Sequence, residues 1–117
     1  MLCIDNHKDV LAVLAEVLQN SGYSTLTASS GSEGLRLLRA TSVHLVILDY
    51  EMPIMNGDLI AQAIRRYKPG LPIILFTAAA DNVSDRVRQN VNSVVHKPDF
   101  SGLLGALKKL AEESASK

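Results

Sequence analysis

The side chains of this sequence best suited to chemistry stand immediately after short apolar runs. Asp5 and Asn6 follow Leu2-Cys3-Ile4, Asp49 follows Leu45-Val46-Ile47-Leu48, Thr77 follows Ile73-Ile74-Leu75-Phe76, and His96-Lys97 follow Val94-Val95. Each alone has an ordinary explanation. A strand-end Asp commonly caps the next helix, a Thr is a good strand residue, and a Lys is normally solvated. Independent caps have no reason, however, to include an ammonium and a hydroxyl beside two carboxylates. If the runs are parallel strands, their carboxyl ends form one rim, where ligands of open α/β sheets collect. Such a set suits phosphoryl transfer to a carboxylate with Mg²⁺ bound. That ion takes hard oxygen ligands, usually one or two carboxylates plus phosphate oxygens, and Asp5 and Asp49 can supply them. The carboxylate acts as nucleophile, while metal, Lys97 and Thr77 neutralise and position the incoming group. Without neutralisation, a group carrying about −1.5 to −2 charges would be repelled by its acidic neighbours.

Positioning these residues requires strands alternating with helices, and the chain has that pattern: apolar runs interleaved with helical periodicity, as in βα units around a parallel sheet. After Leu2 to Ile4, a helix carries Val10, Val13, Leu14, Val17 and Leu18 on one face and ends at Asn20-Ser21-Gly22. Tyr23 to Ala28 is a more polar strand expected at a sheet edge, and Ser30 or Ser32 caps a helix bearing Leu35 and Leu38. His44 to Leu48 is the clearest buried strand. Gly57 precedes a helix with Ile60, Ala63, Ile64 and Tyr67 inward, and Pro53 and Gly57 mark a structured loop. Beyond Pro69-Gly70-Leu71-Pro72 comes Ile73 to Phe76. Val83, Val87 and Val91 then suggest a short fourth helix. Val94-Val95 is a minimal strand, and Phe100, Leu103, Leu104, Leu107, Leu110 and Ala111 stripe a last helix before the polar tail Ser114 to Lys117. No repeat or low-complexity segment interrupts this order.

Composition narrows the function classes. At 117 residues and 47% hydrophobic, the chain has room for one domain with a continuous core, taken as residues 1–117, and none for a second, effector domain. Lys plus Arg and Asp plus Glu both number 12, so no net field holds nucleic acid or an anionic membrane, and direct DNA binding is not expected. Cys3 lies within an apolar run, where a buried, quiet thiol is expected. As the single cysteine, it excludes an internal disulfide. No signal peptide and no apolar stretch of about eighteen residues is present, which makes a reducing cytoplasm the default. The sequence opens almost directly on a strand, which leaves open both trimming of the first residues and excision from a longer parent and does not decide between these and an intact start.

Across nearly its whole length the chain resembles the receiver domains of two-component response regulators. The most specific segment is Leu45-Val46-Ile47-Leu48-Asp49-Tyr50-Glu51-Met52-Pro53-Ile54-Met55-Asn56-Gly57, which is similar to the family's strand, phosphoacceptor aspartate and Met-Pro…Gly loop. Ile73 to Ala78 and Lys97-Pro98 add to the likeness. The resemblance implies a flavodoxin-like doubly wound α/β fold, (βα)5, with a parallel sheet in strand order 2-1-3-4-5. It implies Asp49 as phosphoacceptor, with a sensor histidine kinase or histidine phosphotransfer protein as donor, and Thr77 and Lys97 as contacts to the phosphoryl group. It further implies Mg²⁺ held by Asp5, Asn6, Asp49 and the Glu51 backbone carbonyl. Output passes to a downstream protein or parent effector domain, with a homodimer as one form. The Lys97-Pro98 bond is the candidate cis peptide.

Several positions depart from the family pattern. Members usually carry two adjacent acids after the first strand, whereas this chain has Asp5-Asn6; the amide oxygen can ligate but brings no charge, so weaker Mg²⁺ binding is expected. Val94 falls where many members have a Tyr or Phe whose rotamer reports activation. The stretch from Thr77 to Lys97 is short and has Gln89-Asn90-Val91-Asn92 in place of a small-residue segment. Glu51 and Ala79 occupy the positions that influence phosphoryl loss in the family, although an exposed acidic loop residue accounts equally for Glu51. Among the remaining candidates, His7 reads as a solvated loop histidine beside the site, His96 as pointing away from Lys97, and His44 as structural. Arg65-Arg66 and Lys108-Lys109 read as solvated helix charges.

The leading function is a phosphorylation-driven switch that catalyses its own phosphoryl transfer and is not a metabolic enzyme. A degenerate receiver, binding partners without phosphorylation, is the rival that Asn6, Val94 and the short fourth helix support. A dehalogenase-like phosphatase ranks third, because Asp49-Tyr50-Glu51 lacks the second Asp of an Asp-x-Asp pattern.

Overall fold

Residues 1–115 are described by a computed structural model. The apolar runs become strands β1 (Leu2–Ile4), β2 (Leu26–Ala28), β3 (Val46–Leu48), β4 (Ile73–Thr77) and β5 (Ser93–His96). They alternate with helices α1 (Lys8–Asn20), α2 (Gly31–Ala40), α3 (Gly57–Tyr67), α4 (Asp85–Asn90) and α5 (Phe100–Ala115), with a 3-10 turn at Ala80–Asn82. All paired strands are parallel, in the order β2-β1-β3-β4-β5, which is the expected sheet with β2 at an edge. Of the polar tail, Ser114 and Ala115 extend α5, and Ser116 and Lys117 lie outside the described residues.

Strand alternation explains the winding. Leu2, Ile4, Val46, Leu48, Ile73 and Leu75 point to one side, into a core with residues of α2, α3 and α4. Cys3, Ile47, Ile74, Phe76 and Val95 point to the other, against Leu11, Leu14 and Leu18 of α1 and Leu103 and Leu107 of α5. Both faces are therefore dry, so the central strands read as unbroken apolar runs. Each fully buried Leu or Ile contributes about 1.5–3 kcal/mol of hydrophobic stabilisation.

The helix faces differ in part from expectation. In α1 the buried stripe is Leu11, Leu14 and Leu18, whereas Val13 is 48% exposed. Spacings of three and four residues keep that stripe on one side, and Val10 and Val13 fall on its flank beside Phe76, Pro98 and Phe100. In α3 the inward residues are Gly57, Ile60, Ala61 and Ile64, and Tyr67 on the last turn is 48% exposed. The fourth helix has six residues; Val83 lies before it and Val91 caps its end, so Val87 is its buried anchor. Strand β2 begins at Leu26, after Tyr23, because pairing starts where Leu26 N–H reaches Met1 O at 2.8 Å.

Arg65 is a further correction. Its guanidinium donates to the carbonyls of Asn90 (2.9 Å), Pro69 (3.2 Å) and Leu71, and to Asn92 Oδ1 (3.1 Å), tying the end of α3 to the loops entering β4 and β5. Burial away from water lowers its pKa from the ordinary value. A second tie joins α3 to the short α4, where Arg86 pairs with the buried Asp58, itself held by Gln62 at 3.0 Å. Ser30, of the two candidate serines, caps α2 through Glu33 N–H.

Candidate functional site

Parallel registry delivers the polar residues to one rim. Ile4 pairs with Leu48, so Asp5 and Asp49, one step further, leave adjacent strands at the same level. Thr77 ends β4 opposite His96, and Lys97 follows at once. Asp5 and Asp49 are only 3% and 4% exposed, and Thr77 is fully buried. Two carboxylates that dry need a cation, and Lys97 supplies it. Its Nζ donates to Asp5 Oδ2 at 2.6 Å and to Asp49 Oδ2 at 3.1 Å, with the lysine side chain 14% exposed. The ammonium thus bridges both acids, a role that its place in the sequence did not reveal.

The opposite oxygens have separate partners. Asp49 Oδ1 accepts the Glu51 N–H at 3.2 Å, which anchors the loop after β3 and leaves the Glu51 side chain exposed. Asp5 Oδ1 accepts the His7 N–H at 2.9 Å and lies 3.1 Å from His7 Nδ1. His7 is well exposed, as expected of a loop histidine beside the site, and forms the N-cap position of α1 with one edge of its ring against the buried Asp5 carboxylate. Ligand atoms of Asp5, His7 and Asp49 lie within 4.8 Å of one another, close enough to share a metal ion. Asn6 Oδ1 is buried and, among the described residues, is the one such side-chain atom without a hydrogen-bond partner. An unpaired buried acceptor costs about 1–3 kcal/mol, and a cation beside it would remove that cost. The donor set of two carboxylates and an orphaned amide oxygen therefore fits a hard divalent ion.

The loop over the site depends on Gly57. A Cβ there would meet Tyr50 Cα at 2.6 Å and Asp49 O at 2.8 Å, both backbone atoms, while Gly57 N–H donates to Tyr50 O at 2.8 Å. Asn56 caps α3 through Leu59 N–H, and Ile54 at the loop tip is fully exposed with φ of 68°, a left-handed conformation disfavoured for a branched side chain. Thr77 Oγ1 accepts the Ala79 N–H at 3.2 Å, leaving its own O–H free to donate. The Lys97-Pro98 peptide is cis, as expected. His96 is exposed and its Nδ1 meets the Lys97 carbonyl at 2.5 Å. Val94, at the expected aromatic position, is half-buried against the core on the α3 and α4 side.

Comparison with known proteins gives a consistent set of likenesses. The family model of the response regulator receiver domain matches residues 1–108. The transcriptional regulatory protein GlrR of Escherichia coli is 38% identical over 98% of this chain, and the match spans 27% of GlrR. The response regulator TrrA of Thermotoga maritima, solved in complex with Mg²⁺-BeF, has a TM-score of 0.88 at 36% identity, covering 93% of this chain and 96% of that one. The same TrrA in complex with the histidine kinase ThkA gives a TM-score of 0.86 at 36% identity, covering 93% of this chain and 95% of that one.

Proposed function

The chain belongs to the response regulator receiver family, and from that premise we propose that Asp49 accepts a phosphoryl group, with Asp5, Thr77 and Lys97 completing the site. The observation that carries this reading is the Lys97 ammonium bonded to both buried carboxylates at the carboxyl ends of β1 and β3. An Asp49 oxygen forms the new O–P bond as the bond from phosphorus to the donor's imidazole nitrogen breaks. Lys97 offsets the charge that accumulates, and the Thr77 hydroxyl donates to a phosphoryl oxygen. Asp5, Asn6, Asp49 and the Glu51 carbonyl would hold Mg²⁺, which when bound supplies charge neutralisation at the transferring group. Loop closure at Gly57 keeps Asp49 in place, and the flanking apolar strands exclude water from its back.

The phosphoryl donor is a sensor histidine kinase or a histidine phosphotransfer protein, a reading supported by the kinase complex of TrrA. Output runs through a downstream protein or an effector domain. A transcriptional effector is consistent with GlrR, of which this chain matches 27%. The receiver unit comprises residues 1–117 and makes no direct nucleic-acid contact; a homodimer is a further form it can take. Among the described residues no helix is long and apolar enough to cross a membrane. The cytoplasm is the compartment we propose for the protein, on the reading that its donor is a histidine kinase or phosphotransfer protein. Nothing in the site favours the degenerate alternative, since Asp49, Thr77 and Lys97 are all present at the rim.

The test is a structure with Mg²⁺ and fluoroberyllate, the mimic found on TrrA. The mimic is expected on Asp49, with Lys97 Nζ and Thr77 Oγ1 within hydrogen-bond distance of its fluorines. Lys97 turned to bulk solvent in that state would refute its role, and no binding at Asp49 would refute the site.

A further inference from the structure

We propose that His7 is a nitrogen ligand of the cation in this pocket and tilts its preference from Mg²⁺ towards divalent transition ions of the Mn²⁺ to Zn²⁺ series. The inference rests on the metal-site reading above and deepens it. It starts from the division of oxygens. Lys97 holds Oδ2 of both aspartates, whereas His7 Nδ1 stands 3.1 Å from Oδ1 of Asp5. Adjacent ligands at about 2.1 Å from an octahedral ion are about 3.0 Å apart, and opposite ones about 4.2 Å. The observed 3.1 Å separation matches one edge of such a shell, and the 4.8 Å span of the Asp5, His7 and Asp49 atoms needs only a small contraction. Ring movement is available because the histidine side chain is 62% exposed. On ligation, Nδ1 gives its lone pair to the ion and the ring proton resides on Nε2.

Asn6 supplies the second observation. Its buried Oδ1 lacks a donor, so the residue between Asp5 and His7 offers a neutral oxygen open to a cation. With Asp5, Asp49 and Lys97 the pocket carries one net negative charge. A hard ion such as Mg²⁺, held chiefly by charge and oxygen, gains little from an imidazole and loses from the missing third carboxylate. A transition ion gains from the nitrogen. The amide and the imidazole therefore act in the same direction.

The test uses Mn²⁺ as probe on the full chain, reading free ion by electron paramagnetic resonance and Mg²⁺ affinity by displacement. His7→Ala is expected to weaken Mn²⁺ binding about tenfold and to change Mg²⁺ affinity by less than about twofold. Pulsed measurements should show directly coordinated ¹⁴N in the wild type that is lost in the variant. Because His7 is also the N-cap position of α1 and makes no side-chain cap bond, His7→Asn, a better cap, controls for fraying of the helix. It should lose the ¹⁴N signal too. Equal weakening of both ions, or a wild type without ligand ¹⁴N coupling, overturns the proposal and leaves His7 as a positioning residue for Asp5. Asp49→Asn should abolish binding of both ions; Mn²⁺ binding unaffected by that change overturns the metal-site reading and this inference with it.

Discussion

Replacing Lys97 with Met removes the one cation held between two dry carboxylates while keeping most of the side chain's length. At an effective dielectric of about 20, unit charges at the observed 2.6 and 3.1 Å attract by about 6 and 5 kcal/mol. Desolvating the ammonium offsets several kcal/mol of this. Removing one partner of a buried pair generally costs about 3–5 kcal/mol, and here two buried carboxylates are left facing each other. A loss of about 4 kcal/mol follows. With a urea m-value of about 1.5–2 kcal/mol per molar, the unfolding midpoint should fall by about 2–3 M. The same repulsion should make the variant a better Mg²⁺ binder than the wild type, so added Mg²⁺ should restore more stability to Lys97→Met. Adding Asp49→Asn should recover part of the loss, because a single carboxylate then remains. A midpoint shift below about 0.5 M, corresponding to under about 1 kcal/mol, together with no extra Mg²⁺ response, would refute the claim that Lys97 is the resting counter-ion of both acids.

Further outcomes follow from individual contacts. Gly57→Ala drives a Cβ against Tyr50 Cα and Asp49 O, so it should destabilise by about 1–3 kcal/mol in urea titration and slow phosphorylation, since the displaced backbone carries the acceptor. Asn6→Asp should tighten Mg²⁺ binding of the resting protein about tenfold by calorimetry, a gain of about 1.4 kcal/mol, and improve the phosphoryl-mimic form less; equal resting affinities would remove Asn6 from the metal. Burial pushes the Cys3 thiol from an ordinary value of 9.0 up to about 12. Above pH 9 the unfolded thiol loses its proton while the folded one keeps it. Stability should therefore fall by up to about 1.4 kcal/mol per pH unit relative to Cys3→Ala, measured by unfolding at a series of pH values up to 11.

The alternation of strands and helices and the rim positions were legible because they depend on run length and on strand ends, whereas the strand order and the acceptor loop came through the family resemblance. Leu45 to Leu48 is apolar on both faces since both faces are covered, and Asp49 marks where cover stops. Helix faces were less legible. The choice between the row Val10, Val13, Val17 and the row Leu11, Leu14, Leu18 is a rotation of one residue about the α1 axis, and apolar residues occur in both. Arg65 and His7 show the limit for polar side chains. Each reads as solvated in sequence, and each is recruited by partners distant in the chain or folded back on it: Asn90 and Asn92 for the arginine, a strand-end carboxylate for the histidine. The signal for His7 was its place two residues after Asp5, where the backbone turns back onto the same carboxylate oxygen. Lys97 was legible as a member of the rim but not as the bridge. Its contact with Asp5 spans 92 residues, and only burial of both acids makes a resting counter-ion necessary.

Asp49 as the acceptor is tested most directly by intact-mass measurement after incubation with a small phosphodonor and Mg²⁺, followed by peptide mapping. Wild type should gain the mass of one phosphoryl group, located on the peptide containing Asp49, and Asp49→Asn should remain folded and gain none. An equal gain in Asp49→Asn, or no gain in the folded wild type with Mg²⁺ present, would contradict the account.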